Sequence, residues 1–280
     1  MISVVVPAHN EGSVIARTLF AMTNGAAPGE LDIIVVCNGC SDNTAAVARK
    51  FGAPIRVIET EVASKARALN LGDQAALSFP RIYIDADVVV TIQAIRALAS
   101  RLQQGDVFAV APVPYLELTG CSLPVKAFYD IRSCLPSARE GIGGSGVYGL
   151  SKVGRSRFDK FPNIVADDAY VRIQFRPAER ETLASITSTV FAPRRIKNLI
   201  AIRARIYYGN VELARLFPNL WKNRGESNNK ALVRLLRRPA LWTKMLVYFY
   251  VNIRARRQAK TRLDNSTFVW HRDGTSRSGG

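Results

Sequence analysis

Arg81-Ile82-Tyr83-Ile84-Asp85-Ala86-Asp87 is the stretch that decides the fold. Its first four residues favour a strand, and two carboxylates then halt the apolar run. The strand is therefore read as 81–84, with Asp85 and Asp87 at its carboxyl end. Upstream, 64–76 is a helical pattern rich in Ala and Leu, and 55–59 is another strand. Residues 44–51 read as a helix and 32–36 as a strand. The chain opens with a β-branched run over 2–6, ended by Pro7, that suits a strand buried on both faces. Asn10-Glu11-Gly12-Ser13 follows, with Ser13 expected to cap a helix whose apolar face holds Val14, Leu19 and Met22. Four strands alternating with three helices over about 85 residues predict an α/β protein with a doubly wound parallel sheet.

Such sheets bind ligands at the carboxyl ends of their strands. The polar clusters fall there: His9-Asn10-Glu11, the loop 38–42, and Asp85 with Asp87. Further on, 94–104 is expected to be a helix and 107–113 a strand. A glycine-rich stretch at 141–149 runs into a short apolar strand, and Asp167-Asp168 opens a helix-like segment to Phe175. Residues 240–253 are apolar and aromatic but interrupted by Lys244, too short for a confident membrane span. With Arg254, Arg256, Arg257 and Lys260 next to it, this segment suits either an interfacial helix or a core-packing helix.

Composition bounds the partners. Hydrophobic residues make up 48% of the 280, enough for a sizeable core. The net charge of +17 is lopsided. Residues 1–140 hold 12 Lys/Arg and 13 Asp/Glu, whereas 141–280 hold 27 and 9. A basic second half points to an anionic partner: phosphates, an acidic lipid surface or nucleic acid. No secretory signal is seen, so Cys37, Cys40, Cys121 and Cys134 are expected to be free thiols in a reducing compartment. Cys37 and Cys40 have CxxC spacing, but no second close pair completes a zinc site.

Several motifs carry chemistry. Two carboxylates two residues apart, placed where a strand ends, can face one site and suit Mg²⁺ or Mn²⁺, with a diphosphate supplying further oxygens. The Asp167-Asp168 pair supplies either a general base or an N-terminal helix cap. Gly141-Ile-Gly143-Gly144-Ser145-Gly146 matches GxGxxG formally, but it precedes a strand rather than a helix, so the dinucleotide reading is rejected. A glycine-rich backbone bordering a substrate cavity is the better functional reading. Lys65, Arg67, Arg203 and Arg205 are candidate phosphate ligands. His9 and His271 are assigned no role.

Taken together, these segments resemble the family 2 glycosyltransferases. Val4-Val5-Val6-Pro7-Ala8-His9-Asn10-Glu11 resembles that family's opening strand and Pro-x-x-Asn-Glu loop. The run from Val35 to Thr44 is similar to its second loop, and Lys65-Ala-Arg67-Ala-Leu69-Asn70-Leu-Gly72 to its Lys-x-x-Ala-Leu-Asn-x-Gly segment. Asp85-Ala-Asp87 matches the metal-binding pair. A looser similarity to polysaccharide-assembly members lies at Trp270-His-Arg-Asp273 and Ser276-Arg277.

The resemblance implies a GT-A fold over 1–215: a Rossmann-like, mostly parallel sheet flanked by helices, with a basic helical extension over 216–280. It implies transfer of a sugar from a nucleotide-diphosphate sugar to a hydroxyl, with inversion, in cell-envelope or exopolysaccharide synthesis. Pro7, Ala8, Asn10, Glu11, Asn38, Asp42, Lys65 and Asp85 would contact the donor nucleotide. Arg203 and Arg205 would stabilise the leaving diphosphate, and Asp85 and Asp87 would hold Mg²⁺ or Mn²⁺. Asp168 would be the catalytic base, with Gly144, Ser145, Gly146 and Asp167 at the acceptor. Two departures stand out: Cys37 occupies a position where many members carry Asp, and Asp167 replaces the Glu of a Glu-Asp pair. The expected partners are the donor, a glycan or lipid-linked acceptor and an anionic membrane surface, but no nucleic acid. The expected location is the cytoplasm, at the inner face of the cell membrane. The weaker alternatives are a nucleotidyltransferase and a non-catalytic basic binder.

Overall fold

The computed structural model describes residues 1–264. The similarity noted at 270–277 therefore lies outside the described residues. The chain folds into two compact units. The first holds 1–115, 141–163 and 167–190, and the second holds 116–140, 164–166 and 191 onward. The expected cut at 215/216 falls inside the second unit.

The first unit is built on a sheet whose first four strands are β1 (Ile2–Ala8), β2 (Leu31–Asn38), β3 (Ile55–Thr60) and β4 (Arg81–Ile84). Its other strands are β5 (Ala109–Glu117), β6 (Val147–Leu150) and β7 (Arg180–Phe191). The order is β3-β2-β1-β4-β6-β5-β7. β1 pairs in parallel with β2 and with β4, and β2 with β3, while β6 runs antiparallel to β4 and β5. The helices are α1 (Ile15–Thr23), α2 (Thr44–Arg49), α3 (Lys65–Ala75), α4 (Ile92–Gln103), α6 (Lys152–Arg155) and α7 (Asp167–Ile173) in this unit. The predicted doubly wound α/β architecture is therefore what forms.

Every residue of β1 and β2 is buried, as expected for strands covered on both faces. α3 is capped by Ser64, whose side chain accepts from the Arg67 backbone N–H, and α4 in the same way by Thr91. α3 lies tight on the sheet at Gly72, where a Cβ would come within 2.4 Å of Val5 Cγ1.

Two local expectations are corrected. β1 does not stop at Pro7 but pairs Pro7 with Val36 and Ala8 with Cys37. Its pairing with β4 ends at Val5, so beyond that point the ladder has an open side where a residue lacking N–H is tolerated. Ser13 is not the cap of α1: the cap position is Val14, with no side-chain hydrogen bond. There the Glu11 carbonyl accepts from both Val14 and Ile15, forming a turn that leads into the helix.

The second unit is helical, with α5 (Leu123–Ser133), α8 (Ile196–Leu216), α9 (Asn229–Leu236) and α10 (Trp242–Asp264). Its core gathers Val125, Phe128, Ile131, Leu199, Met245, Tyr248 and Val251. α8 and α10 meet through small residues, Ala204 with Ala255 and Ala259. The segment 240–253 thus packs one face of α10 into this core. Trp242, Leu246, Tyr250 and Ile253 remain half exposed or more on α10. Among the described residues, no helix is long and apolar enough to cross a membrane.

Candidate active site

The sheet order places β2 and β3 on one side of β1 and β4 on the other, so the chain reverses direction between β1 and β4. A crevice opens at this switch point, beyond the carboxyl ends of the two strands. It is a narrow cleft whose lining includes Pro7, Lys65, Asp85, Tyr148, Asp167 and Asp168.

At its centre Lys65 joins two carboxylates. Its Nζ lies 2.7 Å from Asp85 Oδ1 and 3.1 Å from Asp167 Oδ2. Three elements supply the cluster: the first turn of α3, the turn after β4 and the first turn of α7. Burial works against the Lys65 ammonium, but Asp167, Asp85 and Asp168 outweigh it and hold its pKa well above the usual lysine range. Asp167 is only 6% exposed. Burial pushes its carboxyl up to about 6 against the pull of Lys65, and the negative charges of Asp168 and Asp85 add to the rise. Asp168 is half-buried beside it, with Oδ1 accepting from the Ala169 N–H at 2.7 Å.

Asp85 is anchored through its backbone, which donates to the Gly146 carbonyl at 2.8 Å, while its own carbonyl accepts from Val88. Gly146 has φ +64°, and a Cβ there would lie 2.5 Å from Val88 Cγ2 and 3.3 Å from Asp85 Oδ2. Only glycine fits that conformation and that approach. Asp87 is half-buried on the same turn, and its carbonyl accepts from Arg17 at 3.5 Å.

The remaining predicted residues divide by what their side chains do. Asn10 is the non-glycine residue with positive φ among those described, and its Oδ1 accepts from the Ser41 and Asp42 backbone N–H groups. Asn38 Nδ2 donates to the Ala8 carbonyl at 2.8 Å. Asp42 accepts from the Gly12 and Thr44 N–H groups, and the Glu11 N–H donates to Thr44 Oγ1. These groups tie the loop after β1 to the loop after β2; of the residues expected at the nucleotide, Pro7, Lys65 and Asp85 line the cleft, whereas Ala8, Asn10, Glu11, Asn38 and Asp42 do not. Ala8 is buried and lies in the sheet. Ser145 is wholly buried, with its hydroxyl 2.8 Å from the Gly141 carbonyl and 2.6 Å from the Val147 carbonyl. It therefore shapes the glycine-rich loop, and of the expected acceptor-side residues Gly146 and Asp167 are the ones that line the cleft. Arg67 Nε donates to Thr60 Oγ1. Arg203 and Arg205 lie on α8 of the second unit, where Arg203 contacts Tyr207 and Asn252.

Sequence reasoning missed Tyr148. It stacks on Tyr83 with ring centroids 4.9 Å apart, and its buried hydroxyl has no hydrogen-bond partner among the described residues. Burial, then the charges of Asp167 and Asp85, hold this phenol protonated well above the usual tyrosine range. It is therefore a donor aimed at whatever fills the cleft. No sequence motif marks it.

The donor set can be tested against a divalent cation. Among the described residues, no three His, Cys, Asp or Glu side chains form a group that could hold a metal ion. Asp85 lines the cleft and Asp87 is not among its lining residues, so most coordination positions of a cation would fall to diphosphate and water. That fits Mg²⁺ or Mn²⁺ carried with a nucleotide better than a metal held by protein alone.

Comparison with known proteins bears on the fold. Residues 3–123 match the profile of glycosyl transferase family 2. Among curated proteins, no sequence matches this one. Among solved structures, the chain is similar to a mannosyltransferase from Pyrobaculum calidifontis in complex with GDP-Man and Mn²⁺. The TM-score is 0.60 at 18% identity, covering 95% of this chain and 76% of that one. It is also similar to glucosyl-3-phosphoglycerate synthase from Mycobacterium tuberculosis in complex with Mn²⁺, UDP and glucosyl-3-phosphoglycerate. There the TM-score is 0.55 at 20% identity, covering 77% of this chain and 79% of that one. The matched segment ends beyond α4 and contains the Lys65 and Asp85 positions, and the fold around them is GT-A. The match to glycosyl transferase family 2 thus spans residues 3–123, under half of the chain, and the similar solved structures share its fold.

Proposed function

We propose that this enzyme moves a sugar from a nucleotide-diphosphate donor to an acceptor hydroxyl, with inversion and with a divalent cation, in the assembly of an envelope or extracellular glycan. The observation that carries this reading is the cluster of Lys65, Asp85, Asp167 and Asp168 in one cleft at the switch point of the sheet. The Mn²⁺ and nucleotide named for the two similar structures support it.

In this reading the donor's nucleoside lies against Pro7 and the loops that Asn10, Glu11, Asn38 and Asp42 hold together. Asp85 and Asp87 would hold the cation, which when bound neutralises charge on the departing diphosphate. Lys65 places a second positive charge near the same phosphates and holds the Asp85 carboxylate in position. Asp168 takes the proton from the acceptor hydroxyl as that oxygen attacks the anomeric carbon. Asp167, buried and held by Lys65, positions the first turn of α7 and so the base itself. The Tyr148 hydroxyl offers a hydrogen bond to the sugar. Gly146 lets the bound sugar approach the backbone closely.

The acceptor is a glycan or a lipid-linked glycan at the cytoplasmic face of a membrane. The exposed apolar face of α10, with Leu246 71% exposed, and the arginines that follow it suit contact with an anionic bilayer surface. The test is thermal stabilisation by UDP and by GDP, each with and without Mn²⁺. Stabilisation should require nucleotide and metal together and should vanish in Asp85→Asn. Absence of a shift with either nucleotide at millimolar concentration would sink the reading.

A further inference from the structure

Lys65 holds the carboxylate that a cation in the cleft requires. Asp85 lines that cleft, and its Oδ1 lies 2.7 Å from the Lys65 Nζ. Burial opposes the ammonium, but Asp167, Asp85 and Asp168 outweigh it, so Lys65 is charged at neutral pH. Mg²⁺ sits about 2.0–2.1 Å from its oxygen ligands and keeps several waters around it. A metal ion on Asp85 Oδ1 therefore competes with the ammonium for one oxygen and for the space in front of it. Two positive centres that close repel strongly where the Lys65 side chain is only 25% exposed.

The two partners of Lys65 differ, and the difference gives the ammonium somewhere to go. Asp85 is partly open to water, whereas Asp167 is buried. Asp167 Oδ2 makes no hydrogen bond among the described residues, so its 3.1 Å approach to Nζ is an ion pair alone. A buried acceptor short of a hydrogen bond gains when a charged donor turns fully to it. Lys65 is the first residue of α3, directly behind the Ser64 cap, so its backbone is fixed and only the side chain needs to rotate. Asp85, being wetter, is the carboxylate able to take up a hydrated cation in exchange.

We propose that Lys65 is the resident counter-ion of Asp85 and makes cation binding depend on the nucleotide: it holds Asp85 until a nucleoside diphosphate brings the cation, and then turns wholly to Asp167. The inference rests on the reading that Asp85 receives the cation, and it adds what controls that event. A bare divalent cation brings two further positive charges beside the ammonium. A cation carried on a diphosphate arrives with its charge offset and most of its ligands in place, so the repulsion from Lys65 is largely cancelled. Lys65 thus disfavours cation without nucleotide and tolerates the two together, which is a positive coupling between the two ligands.

The experiment measures Mn²⁺ binding to the full chain through the paramagnetic resonance signal of free Mn²⁺, without nucleotide and with UDP or GDP. Wild type, Lys65→Met and Lys65→Gln are compared; the glutamine variant keeps a polar side chain between the two carboxylates and serves if the methionine variant does not fold. Without nucleotide, the charge-free variants should bind Mn²⁺ at least tenfold more tightly than the wild type. The factor by which nucleotide tightens Mn²⁺ should be at least tenfold smaller in the variants. Both differences should persist at about 0.5 M salt, where the field of distant charges is screened but a direct contact is not. Nucleotide-free binding in both variants no tighter than in the wild type, or a gain that disappears in salt, would overturn the role of Lys65 while leaving the cation reading intact. Absence of Mn²⁺ binding in every protein, with UDP and with GDP, would overturn the cation reading and this inference together.

Discussion

Replacing Lys65 with methionine keeps the aliphatic stem and removes the charge between Asp85 and Asp167. Breaking a buried ion pair by deleting one partner costs about 3–5 kcal/mol, because the remaining charge is stranded. The two carboxylates do not share that cost evenly. The Asp85 side chain is 38% exposed, so water recovers part of its loss, whereas the Asp167 side chain at 8% has no such recourse. The pH dependence follows from Asp167. Its pKa in the folded chain is raised from 3.8 to about 6 even with Lys65 present. A carboxyl raised by folding binds protons more tightly when folded, so it contributes less stability as pH rises through roughly 4 to 6. Without Lys65 the folded value climbs further, and the loss extends above pH 6. Each tenfold rise in proton affinity adds about 1.4 kcal/mol, so a hundredfold rise would reach about 3 kcal/mol. Urea denaturation of Lys65→Met should therefore show a loss of about 3 kcal/mol at pH 7.5 and less than about 1 kcal/mol at pH 5, where Asp167 is protonated in both proteins. Equal losses at the two pH values would refute the assignment of the cost to Asp167. A loss below about 0.5 kcal/mol at pH 7.5 would show that the cluster is not an ion pair in solution.

Other substitutions test the remaining parts. Asp168→Asn should lower kcat by about 10²–10⁴ with donor affinity preserved, measured as released nucleotide; a loss in KM alone would argue against a base. Gly146→Ala should lower stability by about 1–3 kcal/mol, because its Cβ meets Val88 in a left-handed conformation, and a normal melting curve would contradict the close approach. Replacing Leu246 and Tyr250 together with serine should abolish flotation with anionic vesicles and leave Tm nearly unchanged, since both side chains are more than half exposed. A retained flotation signal would place the membrane contact elsewhere.

The alternation of β-branched runs with Ala- and Leu-rich helical stretches made the α/β class and most strands of the first 85 residues legible. The reason is local: strand and helix periods are written in neighbouring residues. Strand ends were less legible, because β1 continues through Pro7 only by virtue of the open side that the shorter pairing with β4 leaves. β7 was not read at all. Its residues alternate between polar and apolar without a buried run, and its place at the sheet edge comes from partners far along the chain. Asp85 stood out from its place beside Asp87 at a strand end, and Lys65 from the start of a helical pattern and the family resemblance that segment carries.

By itself, then, the sequence determined the parallel sheet, the acidic pair at the end of its fourth strand and the basic character of the second half. Tertiary structure alone decided that Lys65 bridges to Asp167, more than a hundred positions later, and that Tyr148 presents a buried hydroxyl to the same cleft. It also decided which face of α10 is buried, and that the chain from 116 to 140 joins the helical unit. The physical division is between terms set by residues a few positions apart and terms set by chain closure. Strand and helix preference belong to the first kind. Burial of a charge, its partner and its shifted affinity for protons belong to the second, because each depends on what the folded chain brings within a few ångströms.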